Sequence, residues 1–336
     1  MEDRNHRSPY RISGSPRRTD LCRDSPGTVL HQRYDRRIYR FNRLLSNAAG
    51  RLDSTAVTAF SYSAGAWRVS RPDQPAAIKR LGQNFLIDPN IVRKIVAAAA
   101  LDSNDSVLEI GPGRGILTET LCRSANRVTA IEVDPRLHAY LSEQQVRYPN
   151  LTLILDDAMT YPIDGLPIGT IVVANLPYYL STPLLFRLLD QRDRFPRMVL
   201  MLQNEVADRL VAKPGSSAYG VLSVMAQYAA EITKAFRVSA QCFRPRPEVG
   251  SAVVQLKTRS QRALDQEQEP KFAALVKAAF AHRRKTLVNS LKDEGYAQSN
   301  TAEILASCGL ASTVRAESIS IVQFVELCRR LSSTRH

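Results

Sequence analysis

Four apolar runs in this chain end in residues that can grip a nucleoside. Val107 to Ile110 leads into Gly111, Gly113 and Gly115, and glycines there allow a tight turn and close approach of a ligand to the backbone. The next run ends at Glu132, 21 residues beyond Gly111, where a carboxylate can accept both hydroxyls of a ribose. The third ends in Asp156-Asp157, and Asp157 can accept from an adenine amino group. Either acid alone is an ordinary solvated loop residue; glycine, glutamate and aspartate at three successive run ends form a pocket. The fourth run ends in Asn175-Leu176-Pro177-Tyr178. A planar exocyclic amine is a poor nucleophile, because its lone pair is delocalised into the ring. The Asn175 side-chain oxygen and the Leu176 carbonyl can hold its two hydrogens and favour a more tetrahedral nitrogen. Pro177 stiffens the turn that aims that carbonyl, and Tyr178 offers a face on which an extruded base can stack. Such a site can work by positioning and hydrogen bonding.

The elements that must position these groups alternate. Asp88-Pro89 caps a helix carrying Ile91, Val92, Ile95, Val96 and Ala99 at helical spacing. Strands are expected over 107–110, 128–133, 151–155, 170–174 and 198–202, with helices over 116–121, 136–145, 183–189, 204–212 and 219–229, then strands at 232–238 and 251–256. Alternation of this kind predicts an open, mainly parallel α/β sheet. From 265 the pattern is helical only, over 270–282, 286–293, 300–308 and 320–331, after a polar linker at 258–269. The expected organisation is a basic, mostly disordered extension over 1–77, an α/β domain over 78–260 and a small all-helical domain over 265–336.

The composition agrees with a folded, soluble chain. Of 336 residues, 44% are hydrophobic and 23% charged, and the net charge is +14, a surplus that favours polyanionic partners. Residues 1–77 hold 14 Arg, no Lys and 7 acids, so half of the excess lies there. An RNA-binding arm, a targeting peptide and an extension without function all remain open for that segment. No run reaches the roughly 18 apolar residues of a membrane helix. The five cysteines include no CxxC pair, which argues for free thiols in a reducing compartment and against a disulfide framework or a zinc site.

The order of Gly111, Glu132 and Asp157 resembles the class I S-adenosylmethionine-dependent methyltransferases, with their Rossmann-like sheet. Asn-x-Pro-Tyr at a strand end resembles the motif of enzymes that methylate adenine N6. Lys79-Arg-Leu-Gly-Gln-Asn-Phe-Leu-Ile-Asp88, Glu109-Ile-Gly-Pro-Gly113, Asn175-Leu-Pro-Tyr-Tyr179, Phe243-Arg-Pro-Arg-Pro-Glu-Val249 and Ala279-Phe-Ala-His-Arg-Arg-Lys-Thr-Leu287 stand in order. Together they are similar to the ribosomal RNA adenine N6-dimethyltransferases, in their bacterial small-subunit branch, over about 78–332.

The resemblance implies N6,N6-dimethylation of two adjacent adenines in the 3′-terminal hairpin loop of 16S rRNA, during assembly of the small (30S) subunit. It also implies a cytoplasmic monomer using S-adenosylmethionine, with no metal and no membrane. The cofactor contacts would be Gln83, Asn84, Leu86, Gly111, Gly113, Glu132, Asp157 and Asn175. The reacting base would meet Asn175, Leu176, Pro177 and Tyr178, with Phe243 as a second aromatic wall. Arg114, Arg209, Arg244, Arg246, Arg283, Arg284 and Lys285 would meet RNA phosphates. Two departures stand out: Gly250, where the family often has an acid, and His282, where it often has Gln. Neither touches the proposed chemistry. The alternatives are a large-subunit dimethyltransferase of the antibiotic-resistance type, a DNA adenine methyltransferase, and a non-catalytic assembly or transcription factor on the same fold.

Overall fold

A computed structural model of the chain describes residues 74–78 and 81–333; apart from 74–77, the expectation for 1–77 lies outside the described residues. The described residues all fall in one compact unit. Its first elements are β1 (Phe85–Leu86), α1 (Pro89–Ala99), β2 (Ser106–Ile110), α2 (Ile116–Ser124), β3 (Arg127–Glu132), α3 (Pro135–Gln145) and β4 (Leu151–Leu155). Then follow β5 (Ile171–Asn175), α4 (Ser181–Asp190), β6 (Arg197–Gln203), α5 (Asn204–Leu210), α6 (Val221–Ala229), β7 (Ala230–Val238), β8 (Phe243–Arg244) and β9 (Ser251–Thr258). The chain continues through α7 (Gln268–Phe280), α8 (Leu287–Asp293), α9 (Gln298–Ser307) and α10 (Ile321–Ser333).

The main sheet has the order β4-β3-β2-β5-β6-β9-β7. Strands β2 to β6 are parallel, and β9 runs antiparallel between β6 and β7. The central strands are continuous apolar runs because helices cover both faces: Val172, Val173 and Ala174 are all buried, as are Met198 to Leu202. Val92, Ile95, Leu117 and Leu121 from α1 and α2 pack on one face. Leu184, Leu185, Leu188, Leu222 and Ala226 from α4 and α6 pack on the other. From β2 the sheet grows outward in both directions, through β3 to β4 and through β5 to β6. The carboxyl ends of these strands therefore open on one side of a switch point, the usual place for a ligand in such a sheet.

Local chemistry explains the boundaries. The Asp88 side chain accepts from Asn90 N–H at 2.8 Å and Pro89 opens α1, as the sequence predicts. Helix α4 begins at Ser181, two residues before the predicted start, because Pro183 sits in the first turn, where its missing N–H has no intrahelical partner to lose. The pairing of β1 with β8, Phe85 opposite Arg244 and Leu86 opposite Phe243, was not predicted; two-residue strands carry no readable period.

The C-terminal helices bury their own core, including Phe272, Leu275, Leu291, Leu305 and Phe324, with Tyr219 and Val224 joining it from the α6 region. The segment 258–269, expected as a linker, is tied at both sides. Leu264 is buried in the helical core. Arg262 pairs with Asp193 and, at 2.9 Å, with Glu269. Glu269 also accepts from Arg192 and from the Tyr228 hydroxyl. Among the described residues no helix is long and apolar enough to cross a membrane.

Candidate active site

The ends of β2, β3, β4 and β5 line one cleft together with residues 81–86. Gln83, Asn84, Leu86, Gly111, Gly113, Arg114, Glu132, Asp157, Asn175, Leu176, Pro177 and Tyr178 all face it. Among the described residues no group of three or more His, Cys, Asp or Glu side chains is placed to hold a metal.

The glycine-rich turn is shaped by its neighbours. Gly113 has φ +60, and a Cβ there would lie 3.0 Å from Phe85 Cδ1. The Arg114 guanidinium stacks over the other part of the same contact, 4.4 Å from the Phe85 ring centroid. Phe85 thus clamps the 83–86 segment onto the turn. Sequence reasoning named its neighbours Gln83, Asn84 and Leu86 and gave the ring between them no role. Arg114 also donates to the Pro75 carbonyl at 2.9 Å, so the segment entering the fold crosses beside the cleft.

Glu132 is buried at the end of β3. One carboxylate oxygen accepts from Gly113 N–H at 3.1 Å and the other from Asp134 N–H at 2.9 Å. These bonds orient the group and leave each oxygen a second lone pair for a ligand hydroxyl. Burial pushes its pKa up to about 7, against the pull of the two N–H donors. Asp157 is also buried, and its Oδ1 accepts from Met159 N–H at 2.8 Å. A third carboxyl was not singled out from the sequence. Glu109 is 1% exposed, and its Oε2 has no hydrogen-bond partner among the described residues. Burial, reinforced by the charge of Glu132, pushes it up to about 8. Gln83 is already committed: its Oε1 accepts from Ile78 N–H at 2.7 Å and its Nε2 donates to Asp134 at 3.0 Å.

The fourth strand end is set for an amine. Asn175 Nδ2 donates to the Asn84 carbonyl at 3.5 Å, which turns the amide oxygen to the other side. Leu176 N–H donates to the Met201 carbonyl at 3.2 Å and fixes the following peptide. The Tyr178 and Ser251 hydroxyls share a hydrogen bond of 2.7 Å. That bond anchors the phenol end of the ring.

Phe243 is placed differently from the expectation of a second aromatic wall. Its ring is fully buried with Leu86 and Val253 and lines no part of the cleft; its role in this structure is to hold β1. An aromatic ring unassigned from the sequence, Tyr179, lines the cleft instead. Of the basic residues, Arg114 is at the cleft and Arg244 is paired opposite Phe85 beside it. Arg246 is exposed on the next loop. Arg209 lies on α5, 3.9 Å from Glu205. Arg283, Arg284 and Lys285 form an exposed turn between α7 and α8, where Arg283 donates to Ser217 O and Lys285 pairs with Asp293.

Comparison with known proteins places this arrangement. Residues 76–333 match the family described as ribosomal RNA adenine dimethylase. The ribosomal RNA small subunit methyltransferase A of Moorella thermoacetica is 42% identical over 264 residues, which cover 75% of this chain and 92% of that protein. Its counterpart in Geobacter sulfurreducens is 41% identical over 269 residues, covering 78% and 97%. Among solved structures, a dimethyladenosine transferase from Plasmodium falciparum superposes with a TM-score of 0.64 at 28% identity, over 72% of this chain and 95% of its own. The 23S rRNA methyltransferase ErmE gives 0.60 at 26%, over 74% and 100%. The sheet is the Rossmann-like sheet of the class I methyltransferases.

Proposed function

The chain belongs to the ribosomal RNA adenine dimethylase family, and on that premise we propose that it dimethylates N6 of two adjacent adenines in the 3′-terminal hairpin loop of small-subunit rRNA, with S-adenosylmethionine as donor, during assembly of the subunit in the cytoplasm. The observation that carries this reading is the convergence of Glu132, Asp157 and the Asn175–Tyr178 turn on one cleft.

The cleft fits that donor. Its lining sets the acidic side chains Glu132, Asp156 and Asp157 against the single arginine Arg114, with Glu109 buried and protonated among them, which suits a cation with hydroxyl and amino hydrogens to give. It would repel the pyrophosphate of a dinucleotide. Glu132 would take the ribose hydroxyls, Asp157 the adenine amino group, and Asn84 with the glycine turn the amino-acid end. When bound, the donor supplies an electrophilic methyl on a sulfonium and leaves as a neutral thioether.

The remaining chemistry is done by this chain. Asn175 Oδ1 and the Leu176 carbonyl accept the two N6 hydrogens, and drawing them out of the ring plane returns the lone pair to nitrogen. The Tyr178 ring holds the base at that distance. The methylated nitrogen is acidic enough to lose its proton to water, so no buried base is required. At the second transfer a single N–H remains, and orientation depends more on the ring contact and one acceptor. Arg244 and Arg246 beside the cleft, with the 283–285 turn, would position the loop through its phosphates.

Incubation with undermethylated small subunits and labelled donor, read by mass spectrometry of the released nucleosides, tests the proposal. Dimethyladenine in small-subunit RNA, absent from large subunits treated in parallel, is the expected result. Label in large-subunit RNA alone would favour the substrate named for ErmE. No label in either would leave the DNA-methyltransferase and non-catalytic factor readings.

A further inference from the structure

The proposed chemistry leaves two aromatic residues of the cleft unused, Phe85 and Tyr179, and the Phe85 ring is already taken up by Gly113 and Arg114. Tyr178, the neighbour of Tyr179, is tied at the hydroxyl to Ser251. Tyr179 is 43% exposed although it lines the cleft, so a large part of its ring is surface that a ligand can cover. Its position is fixed from below by Gly82. A Cβ on that residue would lie 3.2 Å from Tyr179 Cδ1 and 3.7 Å from Cε1, so the ring lies against bare backbone. Gly82 also has φ +58, a conformation that L side chains rarely adopt. The same loop is bound into the site: Asn84 Nδ2 donates to the Gly82 carbonyl at 3.1 Å, and Asn175 Nδ2 donates to the Asn84 carbonyl. Asp157 and Glu132, the acids assigned to the nucleoside, line the same cleft. Burial raises the pKa of Tyr179, and the charges of Asp157 and Glu132 raise it further.

We propose that Tyr179 covers the nucleoside of the methyl donor, its ring resting on Gly82 in the cleft that Asp157 and Glu132 also line, while Tyr178 serves the target base. The two adjacent tyrosines thus divide the cleft, one ring for each purine. This rests on the assignment of the cleft to S-adenosylmethionine. It adds a donor-binding residue, with affinity drawn from stacking, which is tolerant of the hydroxyl and dependent on the ring.

Calorimetric titration of the full chain with S-adenosylmethionine and with S-adenosylhomocysteine tests it, using wild type, Tyr179→Ala, Tyr179→Phe and Asp157→Ala. Both ligands share the nucleoside and differ in the charge on sulfur. Tyr179→Ala is expected to weaken both by at least fivefold and by the same factor, while Tyr179→Phe stays within twofold of wild type. A smaller loss for Tyr179→Ala, with Asp157→Ala still weakening both ligands, would overturn the role of Tyr179 and leave the cleft assignment standing. A loss confined to S-adenosylmethionine would also overturn it, since the ring would then serve the sulfonium. If wild type binds neither ligand, the donor assignment itself fails, and this proposal with it.

Discussion

At the scale of single residues, the site is a set of acceptors whose directions are set by the backbone. Glu132, Asp157 and Asn175 were legible in the sequence because each follows an apolar run at the place where a parallel strand must stop. Glu109 was not legible as a buried acid, because a carboxyl inside a strand announces itself only through its burial and, here, an Oε2 without a partner among the described residues. It yields a pH prediction. An unfolded glutamate titrates near its ordinary value of 4.5, whereas folded Glu109 keeps its proton up to about 8. Between those values the folded chain binds more protons than the unfolded one. The contribution is therefore fully present below pH 4.5 and is lost as pH rises through about 8. Each pKa unit is worth about 1.4 kcal/mol, so the effect is of the order of a few kcal/mol. Glu109→Gln should flatten the fall in melting temperature from pH 5 to 9, without abolishing it, since Glu132 shifts in the same direction. Parallel melting curves for variant and wild type across that range would contradict this.

Elements decide whether those residues meet. The Gly-rich turn needs φ +60 at Gly113 and no Cβ beside Phe85, and the β1–β8 pairing brings residues 83–86 to the turn. That pairing joins segments far apart in sequence through two residues each, so no local pattern could disclose it. Phe243 is the clearest case: the motif Phe-Arg-Pro-Arg-Pro was legible, but its ring turns inward to support Leu86. Phe243→Ala should cost about 3–5 kcal/mol of stability, the usual loss for a buried aromatic, measured by denaturant unfolding. Phe243→Leu, which keeps most of the apolar volume, should restore stability and retain methyl transfer within a few fold. A stable Phe243→Leu variant with transfer reduced a hundredfold would instead return this ring to the base pocket.

For the whole molecule, the strand–helix alternation made the α/β sheet and the helical C-terminal region legible. The ties across 258–269 were not, since Arg192, Asp193, Arg262 and Glu269 read as ordinary surface charges until the fold gathers them. The family match begins at residue 76, and the contacts of Pro75 with Arg114 and of Ala76 with Arg136 lie at that boundary. Removal of residues 1–73 should therefore leave methyl transfer within threefold; a tenfold loss would assign the basic extension a part in RNA binding. Replacing Arg283, Arg284 and Lys285 together by alanine should weaken rRNA binding and lower the slope of log affinity against log salt by about 2, on the rule of roughly 0.7 per single-strand phosphate contact. An unchanged slope would place the RNA elsewhere. The central claim is that Asn175 holds the N6 amine in a cleft that also holds the donor, and Asn175→Ala tests it most directly, with methyl transfer and S-adenosylmethionine affinity measured on the same preparation. Transfer to small-subunit RNA is predicted to fall at least a hundredfold while donor affinity falls less than tenfold; equal transfer by variant and wild type would contradict the account.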